Sequence, residues 1–335
     1  MAKKPFIRWA LALGAAAVPV LLWFYVINKS PDRGKAPVAV APKQTEALWV
    51  APDTTLIPYT EEGMLIRYGR LLIASTSVYF GPQGTLGKGA NGMNCQNCHL
   101  EAGTKPWGNN FGAVYSVYPM FRARRGTQES IPQRVNDCFK RSMNGNEIDS
   151  NGREMKAMLA YFRWLGSTVP KGKKPPGTGI RQPDYLGRAA NPELGKSVYA
   201  AKCQRCHGAD GGGSLRFTDS MYVYPPLWGQ HSFTTAAGLY RISRLAGYVK
   251  DNMPFDAKTA SDKLRSEEAW DVAAFVLSQP RPVKVFQQDW PDMAAKPVDH
   301  PFGPYKDSFS ELQHKYGPFV PIEKAKDDYN RKKKS

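Results

Sequence analysis

Histidine and acidic side chains are what this chain has least of. Five histidines occur in 335 residues, and 29 acidic residues stand against 46 lysines and arginines, a formal charge of +17. That shortage of acid points to an anionic partner: nucleic acid, an anionic membrane surface, an acidic protein or a small anionic substrate. Cysteine is scarce too, and four of the five fall in two Cys-x-x-Cys-His motifs, Cys95, Cys98 and His99, then Cys203, Cys206 and His207. Two thiols three positions apart reach the two vinyl groups of a haem while the next residue ligates its iron, so the pair of motifs predicts two covalently bound haem c. With haem present, nucleic acid is the poorest fit of the four anionic partners, and haem propionates offset a few of the positive charges. The fifth cysteine, Cys138, has no structural duty left. In an exported chain an odd cysteine signals an intermolecular bridge or a reactive thiol.

Long apolar runs are missing except for one. Lys3, Lys4 and Arg8 precede Trp9 to Ile27, nineteen residues without a charge. As a helix at 1.5 Å per residue this run spans about 28 Å, close to the roughly 30 Å hydrocarbon core. A cleaved signal has a core of only about 7 to 15 residues. The run reads as an uncleaved signal anchor, although Ala39-Val40-Ala41 resembles a cleavage site further on. Because haem is attached on the export side, the body is expected on the periplasmic side of a bacterial inner membrane, or soluble in the periplasm if the N-terminus is cleaved.

The remaining pattern is mainly α. Met64, Leu65, Tyr68, Leu71 and Leu72 have the spacing of an amphipathic helix over 61–74. A loop-rich segment carries Cys138, and Met155, Met158, Leu159, Phe162 and Leu165 form a second helical pattern that Gly166 and Pro170 close. In the second half Asn191 caps a helix with Pro192 at its first position and Leu194 and Val198 on one face. A closing helix starts near Ser266, with Glu267 and Glu268 in its first turn. The expected architecture is a signal anchor or transmembrane helix (1–28), a linker (29–45), two tandem cytochrome c-like domains (46–170 and 189–281) joined by a Pro-, Gly- and Lys-rich linker (171–188), and a loop-rich C-terminal extension (282–335) that wraps over both. The terminal Arg331-Lys-Lys-Lys334 reads most simply as a solvated tail.

The two halves repeat. His207 lies 46 residues before Met253, which lies 22 before Phe275; His99 lies 39 before Cys138, which lies 24 before Phe162. Cys138 therefore occupies the register in which the second unit has a methionine, the usual sixth ligand of a c-type haem. The repeat predicts His99 and Cys138 on the first iron and His207 and Met253 on the second. Met120 and Met143 remain rivals for the first position, as Met221 does for the second. His231, His300 and His314 all follow the second motif, so bis-histidine ligation of the first haem would need a side chain from the other half. Arg122, Arg124, Arg125, Arg134, Lys140 and Arg141 crowd around Cys138. They form either a solvated face or an oxyanion site, since guanidinium groups beside a thiol favour its nucleophilic thiolate and grip oxyanions through paired hydrogen bonds.

From about residue 60 to 325 the chain resembles the dihaem thiosulfate dehydrogenases of bacteria. The resemblance is carried by Arg67-Tyr-Gly-Arg70, Asn94-Cys-Gln-Asn-Cys-His-Leu100, Arg134-Val-Asn-Asp-Cys138, Arg141-Ser-Met-Asn-Gly145, Pro225-Pro-Leu-Trp-Gly229, Asn252-Met-Pro254 and Tyr316-Gly-Pro-Phe319. It implies a catalytic, cysteine-ligated first haem, with Arg124, Arg134 and Ser142 lining the thiosulfate site beside Cys138. It also implies oxidation of two thiosulfates to tetrathionate, reversible in some members, with a second haem passing electrons to a small soluble or membrane-bound cytochrome. Some members carry a lysine just before the distal methionine as an alternative ligand; Asn252 stands there in this chain. A membrane run departs from the soluble form associated with the family. Other readings are a membrane-anchored dihaem electron carrier that makes no bonds, a dihaem peroxidase, and a haem subunit that conjugates thiosulfate to a carrier protein.

Overall fold

The first helix begins where the chain supplies both a cap and the right charges: Thr60 accepts from the Gly63 amide at 3.2 Å, and Glu61 and Glu62 occupy the first turn. The computed structural model describes residues 47–216 and 221–334. The apolar run Trp9–Ile27 and the tether after it lie outside the described residues, among which no helix is long and apolar enough to cross a membrane. The longer helices are α1 (Glu61–Ala74), α2 (Ile131–Arg141), α3 (Arg153–Leu165), α4 (Pro192–Lys202), α5 (Ile242–Asn252), α6 (Ser266–Ser278), α7 (Glu311–Tyr316) and α8 (Val320–Lys334). Two antiparallel hairpins, β1 (Met120–Arg122) with β2 (Thr127–Glu129) and β3 (Ser214–Leu215) with β4 (Tyr222–Tyr224), are the strands among the described residues.

Each half is built on one helix crossing, α1 against α3 and α4 against α6, with α5 also packed on α6. At both crossings the contact is a glycine. A Cβ on Gly69 would stand 2.0 Å from the Ala157 carbonyl oxygen, and one on Gly195 would stand 1.9 Å from that of Asp271. The same two glycines approach the Tyr161 and Phe275 side chains, so Tyr161, rather than Phe162, stands where Phe275 does in the repeat.

This packing corrects the expected helix faces. Ile66, Leu72 and Ile73 flank Gly69 in the interior, while Met64 and Leu71 are 61% and 45% exposed. In α4 the buried positions are Gly195 and Tyr199, and Leu194 is 52% exposed. A glycine face lets two backbones approach so closely that burial follows shape, and hydropathy alone assigns the wrong stripe. The cap of α4 is as expected: the Asn191 side chain accepts from the Glu193 and Leu194 amides, with Pro192 leading.

The segment between the halves is pinned along its length. Pro176 accepts from the Trp49 amide (2.7 Å), Gly177 from the Trp107 amide (2.7 Å), Gly179 from the Asn109 amide (2.9 Å) and Asp184 from the Trp270 indole (3.0 Å). All described residues fall in one compact unit. The C-terminal extension does lie over both halves, since Asp289 pairs with Arg141, Asp299 with Arg241, and Phe319 packs on Trp270. Its end is a helix, α8, on which Arg331, Lys332 and Lys333 of the expected solvated tail are exposed.

Candidate functional site: two cavities and one spare cysteine

α2 was expected to be loop. Its start is a capping box, in which Ser130 Oγ accepts from the Gln133 amide while the Gln133 side chain accepts from the Ser130 amide, with Pro132 in the first turn. The helix then places Ile131, Arg134, Val135, Cys138 and Phe139, with Ser142 just past its end, on the wall of a cavity of about 1300 Å³ that opens to solvent. These positions recur every three or four residues, one stripe of a helix. Cys95, Cys98 and His99 line the same cavity.

The opposite face of α2 is locked by ion pairs. Asp137 is buried and accepts from Arg124 (2.9 Å) and Arg125 (3.2 Å), with Arg141 at 3.4 Å. Burial opposes its charge, yet the Arg141, Arg124, Arg125 and Arg134 charges together hold its carboxyl below the ordinary carboxylate range. Arg141 continues outward to Asp289 through two hydrogen bonds of 2.6 and 2.7 Å and lies over the Phe286 ring at 3.8 Å.

Of the expected site residues, Cys138, Arg134 and Ser142 meet on this cavity; Arg124 is absent from its wall and sits behind α2 with Asp137, its Nε buried without a partner. Burial, then Arg141 and Arg134, lower the Arg124 pKa to about 10. The Arg134 guanidinium, on the cavity wall, makes no hydrogen bond or ion pair to any described residue. Its pKa is raised, most of all by the neighbouring Cys138 and, against the pull of burial, by Tyr118, Glu129 and Asp137. Sequence reasoning missed Arg244 and Tyr118, which also line the cavity; Arg244 comes from the other half, where local pattern carries no signal of it. Met143 shares the wall with Cys138, whereas Met120 does not.

The second cavity is lined by Cys203, Cys206, His207 and Met253 within a mainly apolar wall that includes Leu227, Leu245, Val249, Leu264 and Val276, with Glu101, Lys202 and Asp256 also on it. Met253 follows directly on the last residue of α5, its amide donating to the Val249 carbonyl. Asn252 points elsewhere: its Nδ2 donates to the Trp107 and Tyr248 carbonyls at 3.2 and 2.9 Å. His231, His300 and His314 line neither cavity. His300 sits by Trp290, and His314 is clamped between the Val298 carbonyl and Asp307.

Both donor sets fit c-type haem. His99 Nδ1 donates to the Asn109 carbonyl at 2.5 Å and His207 Nδ1 to the Pro225 carbonyl at 2.9 Å, which fixes the tautomer that leaves Nε2 for iron. The His99 ring is also stacked on Phe111 at 4.3 Å. Burial lowers the His99 pKa to about 4, partly opposed by the Asn109 bond and reinforced by Arg134, so the imidazole is neutral as a ligand must be. Burial pushes the Cys95 and Cys98 thiols up to about 12 and Cys203 to about 11. Such thiols are poor anionic nucleophiles and suit thioether attachment.

The comparisons with known proteins agree with this geometry. Residues 86–170 match the SoxA/TsdA cytochrome c domain and residues 192–280 match cytochrome c. The thiosulfate dehydrogenase of Allochromatium vinosum is 38% identical over 256 residues, 73% of this chain and 89% of that protein. The chain belongs to the thiosulfate dehydrogenase family. The Psychrobacter arcticus member is 36% identical, covering 72% of this chain and 71% of its own. Among solved structures, thiosulfate dehydrogenase TsdBA from Marichromatium purpuratum superposes with a TM-score of 0.65 at 29% identity over 70% of this chain, which spans about half (50%) of that longer protein. Two covalently bound haem c follow for this chain, one at each Cys-x-x-Cys-His motif.

Proposed function

We propose that the chain oxidises two thiosulfate ions to one tetrathionate at the Cys138 cavity and delivers the electrons, through its second unit, to a cytochrome c-type acceptor. One observation carries the reading: the only cysteine outside a haem motif lies on the His99 cavity one helical turn from Arg134, a guanidinium without a partner among the described residues. Cys95, Cys98, His99 and Cys138 would hold the first haem, and Cys203, Cys206, His207 and Met253 the second. Once attached, the two haems supply two irons that each take up one electron.

The protein's own groups then do the following. Arg134 binds the thiosulfate dianion by charge-assisted hydrogen bonds and Ser142 donates one more. Arg124 acts from behind, fixing Asp137 and through it the face of α2 that carries Arg134 and Cys138. The Cys138 thiolate forms a sulfur–sulfur bond with the terminal sulfur of thiosulfate, and that bond formation releases two electrons. A second thiosulfate attacks the same terminal sulfur, the Cys138 thiolate leaves, and tetrathionate departs. Run backwards, with two electrons returned through the second unit to cleave the Cys138 adduct, the same steps reduce tetrathionate to two thiosulfates. Val223, Tyr224 and Phe255 line the second cavity and are exposed, which supports an apolar docking edge for the acceptor. Covalent haem attachment supports a periplasmic location.

The test is steady-state reduction of ferricyanide by thiosulfate. Cys138→Gly should abolish it while the optical spectrum still shows two attached haems. Turnover retained by that variant would remove Cys138 from the chemistry, and no thiosulfate-dependent turnover in the wild type would leave an electron carrier in place of an enzyme.

A further inference from the structure

The first cavity receives a second unpartnered guanidinium. Arg244 belongs to α5, the helix whose next residues Leu245, Tyr248 and Val249 line the second cavity, yet Arg244 itself faces the first. Its guanidinium makes no hydrogen bond or ion pair to any described residue. Asp299, the acid whose charge acts on Arg244, is already taken: it accepts from Arg241 Nε at 2.8 Å and from the Ser243 amide at 3.2 Å, which anchors the start of α5. Burial first, then the Arg241 charge and more weakly Arg134 and Arg122, bring the Arg244 pKa down to about 10, with Asp299 opposing. An unpaired guanidinium in so positive a recess is costly unless an anion completes it.

The reaction proposed above brings two dianions to one sulfur. With the first bonded to Cys138 beside Arg134, the incoming one is repelled by the adduct's own negative charge, and Arg134 is already committed. We propose that Arg244, supplied by the second cytochrome unit, binds the second thiosulfate and aligns it for attack on the Cys138 adduct. The competing occupant is a haem carboxylate, which has the same oxyanion chemistry.

The proposal rests on the covalent reading, and the experiment separates the two. Holoprotein is mixed with one equivalent of thiosulfate and ferricyanide, quenched, and the Cys138 peptide weighed by mass spectrometry; steady-state kinetics and redox titration are run alongside. Arg244→Gln should form the adduct, discharge it slowly when more thiosulfate is added, and raise KM on the order of 10- to 100-fold with both midpoint potentials unmoved. Arg244→Lys should recover part of that loss, whereas Arg134→Gln should fail to form the adduct at all. Normal KM and discharge in Arg244→Gln, or a shifted first-haem potential with KM unchanged, would overturn the Arg244 assignment and leave the covalent reading standing. No adduct in the wild-type protein would sink both. A variant that loses its haems would be judged on Arg244→Lys alone.

Discussion

The two haem units are the same device fitted out differently. Each crosses two helices at a glycine, and each ties its histidine Nδ1 to a backbone carbonyl. They part at the distal side. The second unit offers Met253 at a helix end in a mainly apolar wall whose lysine, Lys202, is paired with Glu268, whereas the first offers Cys138 within a helix, on a wall that also carries Arg134, Ser142 and Arg244. Shared features attach and orient a haem; the difference decides whether anything besides an electron is admitted. An apolar wall excludes a dianion, while unpaired guanidiniums invite one.

The sharpest way to break that contrast is to make the first unit a copy of the second. Cys138→Met should keep both haems and cost roughly a thousandfold or more in thiosulfate turnover, because the attacking sulfur is gone; activity within tenfold of wild type would show that Cys138 makes no bond. Next comes the ion-pair lock on α2, where one buried aspartate serves three arginines. Asp137→Asn leaves Arg124, Arg125 and Arg141 without their shared counter-charge and should cost about 3–5 kcal/mol in chemical denaturation. A smaller effect tests the sameness of the halves: Gly69→Ala and Gly195→Ala each drive a methyl into a carbonyl and should lose about 1–3 kcal/mol by similar amounts. A marked inequality would mean that one crossing bears more of the fold.

The smallest effect is in pH. Asp137 has a folded-state pKa below its ordinary 3.8, so its contribution is fully present above about pH 4 and drains away as pH falls from 3.8 through the folded value. The stability gap between wild type and Asp137→Asn should therefore be constant at neutral pH and close in acid. A gap that widened in acid would reverse the sign.

Both haem motifs, the cap at Asn191 and the start at Ser266 were readable locally, because each depends on residues a few positions apart. The faces of α1 and α4 were not, since Gly69 and Gly195 carry no hydropathy and declare themselves only when a partner backbone arrives. Helix α2 passed for loop because its interior is polar, although Ser130 and Gln133 spell its start. Arg244 stood out of reach: it shares a cavity wall with Cys138 across 106 residues of chain, which local pattern does not reveal.

Met93, Cys98, Phe233 and Leu239 each belong to the walls of both cavities. A partition one side chain thick, in a frame whose connector is bonded down from Trp49 to Trp270, leaves no hinge on which the two chambers swing apart. The tunnelling gap is thus a constant of the architecture, not a variable of the catalytic cycle. Traffic between the chambers should respond to what replaces Phe233 or Leu239 and stay indifferent to solvent viscosity.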